Sequence, residues 1–284
     1  MKPEDFLNPE NFDKITPDMY DELNQQIESI WDNSCHGDCG SCESDCNDNA
    51  YPKFAKLLLA VTSGKGGTGK STVTALLARN LAKRGLKVAV LDADLACAAM
   101  PTLLGVNQRV VTEDDKAVPV PAGENVKLLS YNLIADDPFE PVLWPGGDLF
   151  NVVNYLYTGG AWGEDNDVFL IDMPSGAGDI PLNLFTAFPV DGTVIVGENS
   201  EVAVTPLRRC VSMMRMFLSA PVAYVENKSL DGEVHLADQL DLGHKCQNYA
   251  LPLSPEVASA PGGVITDEMA ALADELAERV ISLM

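Results

Sequence analysis

The sequence predicts an α/β fold: a mainly parallel, doubly wound sheet flanked by helices, preceded by a poorly ordered acidic arm. Three observations carry that prediction. From residue 56 onward, apolar runs of strand length alternate with segments of helical periodicity. The first such run ends in a glycine-rich turn that opens into a helix. Residues 1–53 hold thirteen acidic and three basic side chains and few aliphatics, too little apolar surface to order a segment unaided.

Taken in order, Leu57–Ser63 (LLLAVTS) reads as a buried strand, followed by a helix over Lys70–Arg84 that Gly85 closes. Lys87–Asp94 (KVAVLDAD) is a second strand, and VKLLSYN, DVFLIDM, GTVIVGEN and PVAYVEN supply four more. Helices over Asp148–Tyr157 and Pro206–Leu218 lie between them. Strands this apolar are buried on both faces, which calls for helices on either side of a parallel sheet. Thr266–Leu283 sets Met269, Leu272, Leu276 and Val280 on one helical face, with Thr266 as cap. In the arm, a short helix over Pro17–Trp31 leads to a cysteine cluster and a linker, NDNAYPK. The division is therefore an arm over 1–53 and an α/β domain over 54–284.

The totals limit the function. A formal charge of −23 repels nucleic acid and anionic lipid, so neither nucleic acid nor membrane is expected as a partner. No apolar run approaches the ~20 residues that span a bilayer. The start, MKPEDFLNPE, carries acids where an export signal carries lysines and an apolar run, so a cytoplasmic location is expected. Any bound anion must be held by a local device.

That device is Gly64-Lys65-Gly66-Gly67-Thr68-Gly69-Lys70-Ser71, with Thr72 next, which fits G-x-x-x-x-G-K-[ST] between a strand and a helix. Its glycines let backbone N–H groups curl around a polyphosphate, and the helix N-terminus adds partial positive charge. Lys70 is expected on the β- and γ-phosphates and the Ser71 hydroxyl on Mg²⁺. Gly64, Gly66 and Gly69 also satisfy the dinucleotide pattern G-x-G-x-x-G, with Asp92 near the place of a ribose-binding acid. Lys-Ser directly after the third glycine favours the triphosphate, because backbone amides alone hold a pyrophosphate. Asp92, Asp94 and Asp172 end two strands, where acids converge on the ligand crevice of an open parallel sheet. Three acids together need a cation between them, and Mg²⁺ is the natural one. Asn227 ends a further strand, where a side-chain amide can read an adenine edge.

The second lysine, Lys65, projects from the middle of the loop and can cross to the nucleotide of a facing subunit. This layout resembles the deviant P-loop ATPases: the MinD and ParA proteins, the nitrogenase iron protein and the Mrp (ApbC-type) iron–sulfur carriers. The resemblance implies a slow Mg-ATPase with Lys65, Lys70, Asp94 and Asp172 as catalytic residues. Asp172 takes the Walker B role, Asp94 orients the attacking water and Asp92 supports the metal shell. It implies that the Gly176 amide, in the switch-like Pro174–Asp179 segment, senses the γ-phosphate, and that Asn227 binds adenine. LDADLACAAMPTLLG, EPVLWPGGDL, IDMPSGAGDIPL, EVAVTPLRR, VEN and LPLSPEVASA follow the Mrp order over Leu57–Gly263. They imply a homodimer that passes a [4Fe–4S] cluster from a cluster-assembly scaffold to apo iron–sulfur proteins.

The chain departs from that pattern in its cysteines. The family usually carries C-P-x-C after VEN; here Cys246 stands alone after VENKS. Four of the seven cysteines instead fall in the arm, as Cys35-x₃-Cys39-x₂-Cys42-x₃-Cys46. One short contiguous run suits an iron–sulfur cluster, whereas zinc prefers two separated knuckles; zinc and redox thiols stay as alternatives. Two other functions compete with the carrier: a MinD/ParA-type positioning ATPase, and an ATP-driven electron donor resembling the nitrogenase iron protein. The net acidic C-terminal segment speaks against the first, which needs a cationic or membrane-seeking surface.

Overall fold

The computed structural model describes residues 51–216, 221–254 and 267–284. The expected arm helix over Pro17–Trp31, the four arm cysteines and Thr266 lie outside the described residues. Lys53–Met284 fold as one compact unit. Its main sheet runs β10-β9-β8-β1-β7-β2-β6-β5, parallel throughout except for the β5–β6 pair.

The central strands are β1 (Ala55–Ser63), β2 (Val88–Asp92), β6 (Val126–Ser130), β7 (Asn166–Asp172), β8 (Gly192–Glu198) and β9 (Ala223–Ser229). Each corresponds to an apolar run in the sequence, and nearly every residue of β1, β2, β7 and β8 is buried. The helices are α1 (Lys70–Lys83), α2 (Met100–Leu104), α3 (Gly146–Thr158), α4 (Asp179–Ala187), α5 (Glu201–Arg215) and α6 (Asp267–Ile281). Helix α1 stops where the sequence indicates, with Gly85 at φ +83° donating its N–H to the Ala82 carbonyl at 2.9 Å.

Helix α5 begins earlier than expected. Pro206 reads as a helix start in the sequence, yet the helix opens at Glu201 and takes Pro206 inside. So near the N-terminus a proline forfeits a single backbone hydrogen bond, and burial of Ala203, Leu207, Cys210 and Val211 outweighs that loss. The sequence reading has neither α2 nor α4, and among strands it lacks the short edge strand β5 (Val120–Pro121), the hairpin β3 (Val111–Glu113) with β4 (Lys116–Val118), and β10 (Gln247–Pro252). Each of these strands is too short or too polar to give a strong period-two signal.

What matters for the site is register. Strand β7 lies between β1 and β2, and Asp172 pairs laterally with Val61 on one side and Asp92 on the other. The glycine turn therefore leaves β1 right beside two strand-end carboxylates. An aromatic cluster sets the opposite end of β7: Phe169 meets Trp162 at 4.7 Å and Tyr157 at 5.4 Å between ring centroids, and Tyr157 stacks on Phe188 at 4.2 Å. Trp162 Nε1 donates to the Leu156 and Tyr157 carbonyls, so this buried indole is satisfied. Truncating Phe169 to alanine is expected to lower stability by about 3–5 kcal/mol. Urea unfolding followed by Trp fluorescence measures this, and a loss below about 1 kcal/mol would mean the cluster does not hold β7.

Candidate functional site

The glycine turn owes its shape to two close approaches and a reversed backbone. A side chain at Gly64 would strike the backbone of Pro206 and Leu207 at about 2.4–2.5 Å, so α5 packs directly against the loop's first residue. Gly69 adopts φ +88°, and a Cβ there would sit 2.1 Å from Asn227 Nδ2. That amide donates to the Thr68 carbonyl at 2.8 Å, bracing the loop from behind. Ser63 Oγ donates to the Lys65 carbonyl at 3.1 Å and draws in the other arm of the turn. Among the described residues no side chain caps the start of α1, so its first N–H groups can serve an anion.

Inside the turn lies a cluster of charge. The Lys70 ammonium is nearly enclosed, with 6% of its side chain exposed; it lies 3.0 Å from Asp172 Oδ1 and 3.7 Å from Asp94 Oδ2. Ser71 Oγ donates to Asp172 Oδ2 at 2.6 Å, and Thr74 Oγ1 to Asp172 Oδ1 at 2.9 Å. Asp172 is fully buried and is satisfied by a cation and two hydroxyls. Lys70 thus places a positive charge between two of the three acids.

Asp92 stands one strand further in and is fully buried. Its Oδ2 accepts from Ser130 Oγ at 2.9 Å and from the Met100 N–H at 3.3 Å, while Oδ1 has no hydrogen-bond partner among the described residues. Burial, and after it the charge of Asp172, push its carboxyl up to about 7, against the pull of Lys70. Asp94 is also raised, by burial first, with Lys70 opposing. Among the described residues no group of three or more His, Cys, Asp or Glu side chains is arranged to hold a metal by itself. Ser71 and Asp172 do offer a hydroxyl and a carboxylate within hydrogen-bond distance of each other. That hard oxygen pair fits Mg²⁺, which takes one or two protein ligands and completes its shell with phosphate and water.

The remaining sequence-derived residues fall around this centre. Gly66 faces Ser175 of the switch-like segment, whose Oγ lies 3.7 Å from where a Cβ would stand. The Gly176 N–H, expected at a γ-phosphate, here donates to the Ser63 carbonyl at 2.8 Å and ties that segment to β1. Lys65, expected to reach across to a facing subunit, pairs with Glu198 of its own chain. Lys228 also binds Glu198, at 3.2 Å, and donates to the Gly67 carbonyl at 2.5 Å. Thr74, Ser130, Glu198 and Lys228 were missed in the sequence. Thr74, one helical turn beyond Lys70, and Glu198, a strand-end acid like Asp172, carried readable signals; the other two carried none.

A family model described as NUBPL iron-transfer P-loop NTPase, of the ParA group, matches residues 55–240. The chain belongs to this family. An "Iron-sulfur cluster carrier protein" of Clostridium perfringens is 36% identical over 205 residues, covering 66% of this chain and 72% of the relative. One of Methanococcus maripaludis is 37% identical over 209 residues, with 68% and 72% covered. A nucleotide-binding protein from Archaeoglobus fulgidus, solved in complex with ADP, superposes with a TM-score of 0.55 at 27% identity, covering 78% of this chain and 87% of that one. The cell division ATPase MinD of Pyrococcus furiosus, with a TM-score of 0.59 at 22% identity and coverages of 80% and 99%, shares the fold.

In this member of the family the described cysteines do not gather. Cys210 is buried and lies 3.5 Å from Thr62 Oγ1, where desolvation raises its thiol; Cys97 is exposed, and Cys246 lies on the loop before β10. No described helix is long and apolar enough to cross a membrane.

The raised Asp92 carboxyl sets a pH dependence. The folded chain holds that proton up to about pH 7, whereas the unfolded chain releases it near the ordinary aspartate value of 3.8, so this group's contribution to stability falls as pH rises through that window. Asp92→Asn should flatten the stability profile between those two pH values when measured without Mg²⁺ and nucleotide. An unchanged slope would place the titration elsewhere.

Proposed function

We propose that this chain is a slow Mg²⁺-dependent ATPase that carries a [4Fe–4S] cluster to apoproteins as an ATP-dependent homodimer. The observation that carries the reading is the enclosed Lys70–Asp172 pair with Ser71 upon it, set in a chain of the iron-transfer family. A phosphate-binding turn whose lysine already rests on the metal-binding acid is built for exchange. An arriving triphosphate offers Lys70 a stronger partner, and its departure frees Asp172 and Asp94 together.

Backbone amides of Gly64–Thr72 and the start of α1 hold the phosphates. Ser71 and Asp172 would hold Mg²⁺, with Asp92 behind them, and the metal when bound neutralises charge on the phosphate oxygens. Asp94, released from Lys70, orients the attacking water, and its raised pKa suits a group that handles a proton. Gly176 leaves Ser63 to sense the terminal phosphate. Asn227, against the loop's floor, contacts adenine, and Lys65 reaches the partner's nucleotide. The cluster is cargo, held by Cys35, Cys39, Cys42 and Cys46 in an acidic arm over residues 1–53, because a lone Cys246 supplies two thiolates per dimer and a cubane needs four.

Two experiments test this reading. Lys70→Ala and Lys65→Ala should each lower the ATPase rate by about 100-fold or more, the size of effect expected when a preorganised charge is lost from a transition state. Lys65→Ala alone should keep ATP affinity and lose ATP-dependent pairing in analytical ultracentrifugation, and wild-type turnover in it would remove the cross-subunit role. Anaerobic reconstitution with iron and sulfide should load wild type and leave the Cys39→Ala/Cys42→Ala variant without iron. Equal iron in both would move the cargo away from the arm, and zinc retained in place of iron would favour a docking module.

A further inference from the structure

Lys65 does not project freely. Its ammonium is bound to Glu198, and its side chain is 29% exposed against 18% for the carboxylate. Glu198 ends β8, the strand beside β1, so the acid stands level with the loop's tip. Its second oxygen takes Lys228, the residue after Asn227, held at φ +60°. Lys228 in turn donates to the Gly67 carbonyl, so one carboxylate ties β8, β9 and the glycine turn together. Burial works to raise the Glu198 carboxyl, but the two lysines outweigh it and hold it below its usual value.

We infer that Glu198 is a positioning residue that restrains Lys65 within its own protomer and sets how much ATP is needed to pair two copies. The inference rests on the proposed cross-subunit role of Lys65. Lys65 meets a neighbour's phosphate only after leaving Glu198, so the pair competes directly with the dimer contact. The second lysine makes that departure feasible. With Lys228 still bound, the half-buried carboxylate is not stranded without a counter-charge when Lys65 swings out. A lone Lys65–Glu198 pair would resist opening far more. The arrangement is thus a three-body exchange: Lys228 stays, Lys65 trades Glu198 for phosphate, and the turn keeps its brace at Gly67.

The test uses the full chain with Glu198→Gln, and with Glu113→Gln, an exposed acid on β3, as a charge control. Limited acetylation without nucleotide, read by mass spectrometry at Lys65, should run about 2- to 5-fold faster in Glu198→Gln, the range that a partly exposed ion pair supports. The ATP concentration at half-maximal pairing, read by sedimentation, should fall by a similar factor, and adding Lys65→Ala should abolish that shift. Glu198→Asp, which withdraws the charge by one methylene, should lie between and serves if the glutamine variant does not fold. Unchanged acetylation of Lys65 overturns the restraint and leaves the carrier reading standing. Faster acetylation with an unmoved ATP midpoint also overturns it, since the pair would then have no hold on assembly. Wild-type pairing by Lys65→Ala alone would instead sink the cross-subunit reading beneath it.

Discussion

An ammonium and a carboxylate can share a protein interior only if each remains matched, and the Lys70–Asp172 pair meets that demand narrowly. Asp172 is fully buried, and its two oxygens are met by Lys70, Ser71 and Thr74. Removing any one leaves charge or lone pairs stranded in low dielectric, where the penalty is several kcal/mol per ion. Much of the surrounding architecture serves to bring these groups together. The parallel register of β1, β7 and β2 puts Asp172 between the glycine turn and Asp92. The packing of α5 on Gly64 and of Asn227 behind Gly69 holds the turn closely enough for Lys70 to point inward.

The same turn gives its two lysines opposite settings. Lys70 is enclosed by acids at the floor of the site, while Lys65 stands at the rim and is tethered by Glu198. Both are therefore engaged with carboxylates of their own chain, and in the proposed cycle both exchange those carboxylates for phosphate. Such exchange suits slow turnover, because binding energy is used to rearrange charge before any bond breaks. Asp92, with one oxygen unpartnered among the described residues and its carboxyl raised, adds a group whose proton count follows the charge beside it.

Membership of the iron-transfer family and the acidity of the chain fit together. A net charge of −23 disfavours DNA and anionic membranes, surfaces that a positioning ATPase requires. The described cysteines are dispersed, so the cargo-holding role proposed for the chain rests on the contiguous cysteines of residues 35–46. Those lie outside the described residues, and iron loading of the full chain is the measurement that reaches them.

The amino-acid sequence alone determined the alternation of strands and helices, the phosphate turn and the strand-end acids. Each is a local property: apolar runs of a given length, glycines before a lysine and a hydroxyl, an aspartate where a buried strand must stop. It also carried the family resemblance, since ordered motifs survive in linear form. Only the tertiary structure decided which charges meet. That Lys70 lies between Asp172 and Asp94, that Asn227 braces Thr68, and that Glu198 holds Lys65 and Lys228 at once all depend on contacts across 24 to 159 positions of chain. Partner choice between remote charges follows from sheet order and register, and those arise from the packing of the whole domain, which no local pattern encodes.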